Sequence, residues 1–197
     1  MKREELFELS EIKRQAALRA VTASGITDAW ESVGAKINLV GSVRSGLIMK
    51  NLDIDFHIYT GEPMEEKSFA AIGRLGKNPA IKDISFKNLL DTEEECLEWH
   101  AWYEDVEKSV WQLDMIHIRK GSAFDGAIER TTDAITAKLT PELREAILRI
   151  KYDTPAGVKI PGIEVYYTVL SLGIRSYAEY EKWKQENPGI DLLGWTP

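Results

Sequence analysis

The period of the apolar positions changes twice along this chain, and the changes mark out its architecture. From about Glu4 to Ala23, the residues Leu6, Leu9, Ile12, Ala16, Leu18 and Val21 recur mostly at spacings of three and four among charged residues. That spacing predicts an amphipathic helix. Gly25 follows it as a stop, and Trp30 falls in the connection or in a second short helix.

The period then shortens to that of strands. Ala35–Val40 predicts a strand running into a Gly41-Ser42 turn, and residues 43 to 50 have room for only a turn or two of helix. Asp53–Tyr59 alternates, with acids on one face and Ile54, Phe56 and Ile58 on the other. Glu65–Gly76 predicts a helix and Ile81–Leu90 a strand, while Glu93-Glu94-Glu95 is a short solvated loop. Cys96–Tyr103 and Ser109–Arg119 are rich in aromatic and branched residues and flank a polar stretch, the pattern of a hairpin. After Gly121 the period lengthens again and predicts helices over Phe124–Leu139, Pro141–Tyr152 and Ile163 to about Gln185. Pro155, Gly157, Pro161 and Gly162 divide the second of these from the third. The fold class expected is α+β: a mixed β-sheet flanked by helices over residues 1–120, with a C-terminal helical subdomain over 121–197.

Composition narrows the picture. A chain of 197 residues with 44% apolar content can bury a substantial core. Its net charge of −7 argues against broad nucleic-acid binding, which rests on a basic surface that neutralises phosphates. Cys96 is the lone cysteine, so no intrachain disulfide forms. The charged N-terminus and the lack of a long apolar run lead us to expect a cytoplasmic protein with no membrane span. Oligomeric state is not legible.

Candidate chemistry begins with Asp53 and Asp55. Alternation puts them on one strand face together with His57, the acid Cα atoms roughly 7 Å apart. Two like charges so close call for a neutralising cation, although an isolated Asp-x-Asp is equally the polar face of an edge strand. Asp114 interrupts the strand-like run Val110–Ile118, where an unpaired carboxylate is costly to bury. It needs a partner, and Arg119, Lys120 or the N-terminal helix could supply one. Gly41 permits a tight turn and close backbone approach, and Ser42 adds a hydroxyl. Arg44 and Lys50 offer positive charge nearby. His117, an odd number of residues from Asp114, should face the opposite side and be structural. His100 shares a face with Glu98 and Trp102 and either lines a pocket or simply covers the sheet, the second being the plainer reading. The helical stripe Ile163, Tyr166, Tyr167, Leu170, Ile174, Tyr177 and Tyr180 reads as core. Lys138, Lys151 and Lys159 add positive charge in the helical part, with no spacing to choose among them.

The order of these pieces resembles the nucleotidyltransferase superfamily, the polymerase-beta-like fold. Val40-Gly41-Ser42, a ten-residue spacer and Asp53-Ile54-Asp55-Phe56 match its pattern of an apolar residue, Gly-Ser, a spacer, then acid, apolar, acid, apolar. Gly46-Leu47 extends the likeness, and Leu113-Asp114-Met115-Ile116 matches the third carboxylate on a later strand. Leu52 departs from it, standing where many relatives carry Ser. The resemblance spans about residues 35 to 120 and implies Mg2+ (or Mn2+) held by Asp53, Asp55 and Asp114, with Gly41, Ser42, Arg44 and Lys50 binding the nucleotide. The activity implied is transfer of a nucleoside monophosphate from a triphosphate to a hydroxyl of a small molecule, less so of a protein or RNA. The rival readings are an inert nucleotidyltransferase-like binding protein, and a glycosyltransferase in which Asp-x-Asp holds manganese and a nucleotide-sugar.

Overall fold

The computed structural model describes residues 1–192 and 194–197. Helix α1 (Arg3–Ser24) ends where Gly25 adopts the left-handed conformation at φ 76°, and α2 (Ile26–Glu31) starts at once and carries Trp30 into the interior. Strand β1 (Lys36–Leu39), a single turn α3 (Gly41–Ser45) and β2 (Asp53–Tyr59) come next. They lead to α4 (Met64–Leu75), β3 (Ile81–Asn88), β4 (Cys96–Glu104) and β5 (Val110–Ile118). The remainder is helical: α5 (Ala127–Lys138), α6 (Pro141–Asp153), α7 (Gly162–Ser171) and α8 (Tyr177–Glu186).

The sheet has the order β1-β2-β5-β4-β3, with β2 and β5 parallel and the other pairs antiparallel. The architecture is thus α+β with a mixed sheet, as the sequence pattern predicts. Register sorts the side chains. Ile54, Phe56 and Ile58 of β2, Leu113 and Met115 of β5, and Leu97, Trp99 and Ala101 of β4 are buried. They form one core with Trp30, Ala71 and Leu75 from the helices. Trp30 Nε1 donates to Met115 Sδ at 3.4 Å, tying α2 to the centre of the sheet. The alternate residues of the same strands, acids among them, occupy the other face.

A second core joins α5 to α8 with Leu6 of α1 and with Leu47 and Met49 of the loop before β2. α1 therefore bridges the two cores. Its buried face differs from the expected stripe: Ile12 is 56% exposed, while Ser10, Ala17, Ala20 and Ser24 are buried. Small residues let the helix approach closely, and Ser10 Oγ donates to the carbonyls of Gly46 (3.1 Å) and Ile48 (2.8 Å).

The single helix expected over 163–185 is two. Gly173 takes φ 73°, and Ser176 caps α8 in a reciprocal box with Glu179, each satisfying a free backbone N–H of the new helix. The break folds α8 back so that Tyr180 donates to Glu164 Oε2 (2.7 Å) and Lys184 pairs with the other oxygen.

Candidate active site

The acids of β2 stand over the turn that precedes them. Val40 N donates to the Asp55 carbonyl at 2.9 Å, which brings the end of β1 beside Asp55. Gly41 follows at φ 65°, and a Cβ built there would lie 2.1 Å from Asp55 Oδ2. Only glycine suits this position, since it tolerates the backbone conformation and leaves room for the carboxylate. The turn of α3 is closed by Ser45 Oγ donating to the Gly41 carbonyl (2.9 Å) and by Leu47 N donating to the Ser42 carbonyl (2.8 Å).

Asp55 and Asp114 are register partners on β2 and β5, as are Asp53 and Gln112, so the three acids share one face of the sheet. Together with Gly41 and Ser42 they line a cavity of 930 Å³ roofed by α7 and the C-terminal segment. Burial, then the charges of Asp53 and Asp114, push the Asp55 carboxyl up to about 7, against the pull of Lys151 and the Ser42 backbone N–H. Burial also raises Asp53, Asp114 adds to the rise, and Lys151 and Lys159 oppose it.

Among the described residues, no three His, Cys, Asp or Glu side chains close around a common point as a preformed metal site. The donor chemistry nonetheless fits a hard divalent cation: three carboxylates on one face, with Asp55 lifted first by burial and then by its like-charged neighbours. A cation of this kind would be held by Asp53 and Asp55, with Asp114 beside them.

Asp114 already has partners. Gln112 Nε2 donates to its Oδ1 at 2.8 Å, and His100 Nδ1 lies 2.5 Å from the same oxygen. The other ring nitrogen, Nε2, lies 2.9 Å from Glu98 Oε1. His100 thus lines the cavity and does not merely cover the sheet. The salt bridges entertained for Asp114 to Arg119 or Lys120 do not form; Arg119 pairs with Glu95.

The cations divide. Lys50 lines the cavity, its Nζ donating to the Thr154 carbonyl (2.8 Å) and lying over the Tyr152 ring. Lys151 is the lysine whose charge bears on both Asp53 and Asp55, and it is held by the Leu47 carbonyl (2.9 Å) and the Tyr166 hydroxyl (3.0 Å). Arg44, of the expected nucleotide-binding set, is engaged elsewhere. Its guanidinium pairs with Asp133 of α5 at 2.5 Å and donates to the Leu39 carbonyl, and it does not line the cavity. Lys138 does not line it either.

His57 lines the cavity on the acids' side, its Nδ1 3.3 Å from Glu129 Oε2. Glu129 also accepts from Asn38 Nδ2 (2.9 Å) and the Tyr59 hydroxyl (3.0 Å). His117 faces away, edge-on to Trp30 and 2.9 Å from Thr60 Oγ1, and burial presses its pKa down to about 4.

The residues that sequence reasoning passed over are Gln112, whose spacing of two from Asp114 puts it on the acids' face, and Tyr166, which counted only as core. Residue spacing alone could have found the first. The second needed the relative placement of α6 and α7.

No family model and no curated sequence matches the chain. Solved structures do. Cid1 poly(U) polymerase bound to MgGTP superposes with a TM-score of 0.55 at 15% identity, covering 76% of this chain and 46% of that one. A cytoplasmic RNA terminal U-transferase gives 0.53 at 13% identity, over 83% and 51%. The GLD-2/RNP-8 complex gives 0.56 at 8% identity, over 98% and 75%. The fold is therefore that of the polymerase-beta-like nucleotidyltransferases. The chain spans about half the length of the first two of these proteins. No helix among the described residues is long and apolar enough to cross a membrane.

Proposed function

We propose that the protein is a magnesium- or manganese-dependent nucleotidyltransferase that transfers a nucleoside monophosphate from a nucleoside triphosphate to a hydroxyl group, most readily one on a small molecule. The observation that carries this reading is that Asp53, Asp55 and Asp114 share one sheet face and line one cavity with the Gly41-Ser42 turn. Divalent ions bound there would neutralise the carboxylates, orient the triphosphate and make the attacking hydroxyl a better nucleophile. Asp53 and Asp55 serve the triphosphate end, and Asp114 the hydroxyl end. Gly41 lets the backbone approach the phosphates, Ser42 offers donors, and Lys151 and Lys50 supply positive charge. In this reading residues 1–120 carry the catalytic groups and 121–197 form the cavity's far wall, in a cytoplasmic enzyme.

A small acceptor is supported by the net charge of −7, which disfavours docking of a polyanion. A second reading, transfer to an RNA 3′-hydroxyl, is supported by the likeness to an RNA terminal U-transferase. Pyrophosphate release from each triphosphate, measured with magnesium and with sugars, aminoglycosides, protein or RNA as acceptor, tests both. Release with RNA alone replaces the first reading by the second. Nucleotide binding without release from any acceptor replaces both by an inert binding protein.

A further inference from the structure

We propose that His100 is a positioning residue for Asp114, fixing one oxygen of that carboxylate so that the other is presented to the cavity. The inference rests on the nucleotidyltransferase reading for what Asp114 does, but not for how it is held.

The geometry is a line of side chains across three neighbouring strands. Lys87 of β3 donates to Glu98 Oε1 at 2.6 Å, and the same oxygen lies 2.9 Å from His100 Nε2. The opposite ring nitrogen meets Asp114 Oδ1 at 2.5 Å, where Gln112 also donates. His100 and Asp114 are direct register partners of β4 and β5, so their Cβ atoms start close together on the same face. Both hydrogen bonds of Asp114's side chain among the described residues go to Oδ1, which leaves Oδ2 for a further partner, and Asp114 lines the cavity.

Such an arrangement has a physical consequence. An aspartate on a strand can turn about its side-chain bonds, and a loosely held carboxylate must be ordered again for each substrate. Here two donors grip one oxygen, and the ring that supplies one of them is itself held at its far end by Glu98. With a carboxylate oxygen within 2.9 Å of each ring nitrogen, the ring has one orientation, because a flip would put carbon atoms where the nitrogens now meet Glu98 and Asp114. Outer partners of this sort typically change metal affinity or activity by about 10- to 100-fold when removed.

The test uses the full chain and three variants: His100→Ala, His100→Asn and Asp114→Asn. Asparagine keeps an amide nitrogen near the place of Nδ1, so it should restore the grip on Asp114 that alanine loses. Two readouts are taken. The first is Mn2+ binding, followed by paramagnetic relaxation of water with no nucleotide present. The second is turnover with the triphosphate and acceptor that support pyrophosphate release. Expected are roughly tenfold weaker Mn2+ binding and about 10- to 100-fold lower turnover in His100→Ala, an unchanged triphosphate KM, and recovery of most of both losses in His100→Asn. Wild-type Mn2+ binding and turnover in His100→Ala would overturn the inference. So would equal losses in the alanine and asparagine variants, which a purely structural role predicts. If the wild type releases no pyrophosphate with any acceptor, the enzyme reading falls, and the Mn2+ series alone decides on His100. Wild-type Mn2+ affinity no stronger than that of Asp114→Asn overturns the positioning role as well.

Discussion

Asp55 and Asp114 face each other as register partners across the one parallel strand pair of the sheet, so their carboxylates are brought together by backbone pairing rather than by any attraction between them. The fold holds them against their own repulsion, and the folded state is therefore strained electrostatically wherever both are ionised.

A dependence of stability on pH follows. Asp55 titrates near 7 in the folded chain because burial and then Asp53 and Asp114 oppose its ionisation, whereas in the unfolded chain it titrates at about 4. Between those values the folded state holds a proton that the unfolded state has lost, so stability falls as pH rises through the window, by up to a few kcal/mol. In chelator, Asp55→Asn should melt several degrees above wild type at pH 8, with the gap closing towards pH 5. Magnesium should raise the wild-type melting temperature at pH 8 more than that of the variant. Equal melting of the two proteins at pH 8 in chelator would refute the account.

Gly41 makes a sharper steric prediction. An alanine there meets Asp55 Oδ2 at 2.1 Å and needs φ near 65°, whereas at Gly25, with φ 76°, an added Cβ has nothing within 4 Å. Gly25→Ala therefore reports the backbone cost alone, about 1 kcal/mol. Gly41→Ala should cost clearly more, or keep its stability only by displacing the Asp55 carboxylate and losing triphosphate binding. Denaturant melts and calorimetric titration of both variants separate these outcomes, and similar behaviour of the two would discount the close approach.

Asp114 should separate binding from chemistry. If it serves the hydroxyl end, Asp114→Asn keeps triphosphate affinity within a few-fold while turnover falls by the equivalent of a few kcal/mol, the scale of lost transition-state charge stabilisation. Glu94→Gln, in the exposed loop after β3, serves as the control and should change neither. A parallel loss of affinity and turnover in Asp114→Asn would assign it to the triphosphate end instead.

The sheet and the acids were legible because both rest on short-range rules. Alternation alone puts Asp53, Asp55 and His57 on one face and His117 on the other, and the observed strands keep that parity. The split at Gly173 was written locally too, in Ser176 and Glu179, yet the aromatic stripe that runs through it at helical spacing hid it. The buried face of α1 was not legible in the same way: its small residues pack because of what lies opposite them, and an apolar Ile12 is left outside. What no local rule supplies is the pairing of distant groups. Asp133 drawing off Arg44, and α6 aiming Lys151 at the acids, arise from helix placement.

That last pairing gives a test between two cations that sequence alone treats alike. Lys151 lowers the cost of ionising both Asp53 and Asp55, and its Nζ is pinned by the Leu47 carbonyl and the Tyr166 hydroxyl at the cavity wall. Lys151→Met keeps most of the apolar stem and removes the charge. It should weaken triphosphate binding by at least about tenfold, the effect of losing one charge-assisted contact of about 1.5 kcal/mol or more. Because Lys151 pulls the Asp55 titration down, its loss should also move the pH midpoint of metal-dependent binding upward. Arg44 spends its charge on Asp133, neither residue lines the cavity, and that half-exposed pair is worth under about 1 kcal/mol. Arg44→Gln should therefore leave triphosphate affinity within about twofold of wild type and the pH midpoint where it was. Calorimetric titration of a triphosphate with magnesium across pH 6 to 9 measures both quantities in both variants. A larger loss in Arg44→Gln than in Lys151→Met would mean that the ligand draws Arg44 away from Asp133, and the assignment of Lys151 to the phosphates would fail.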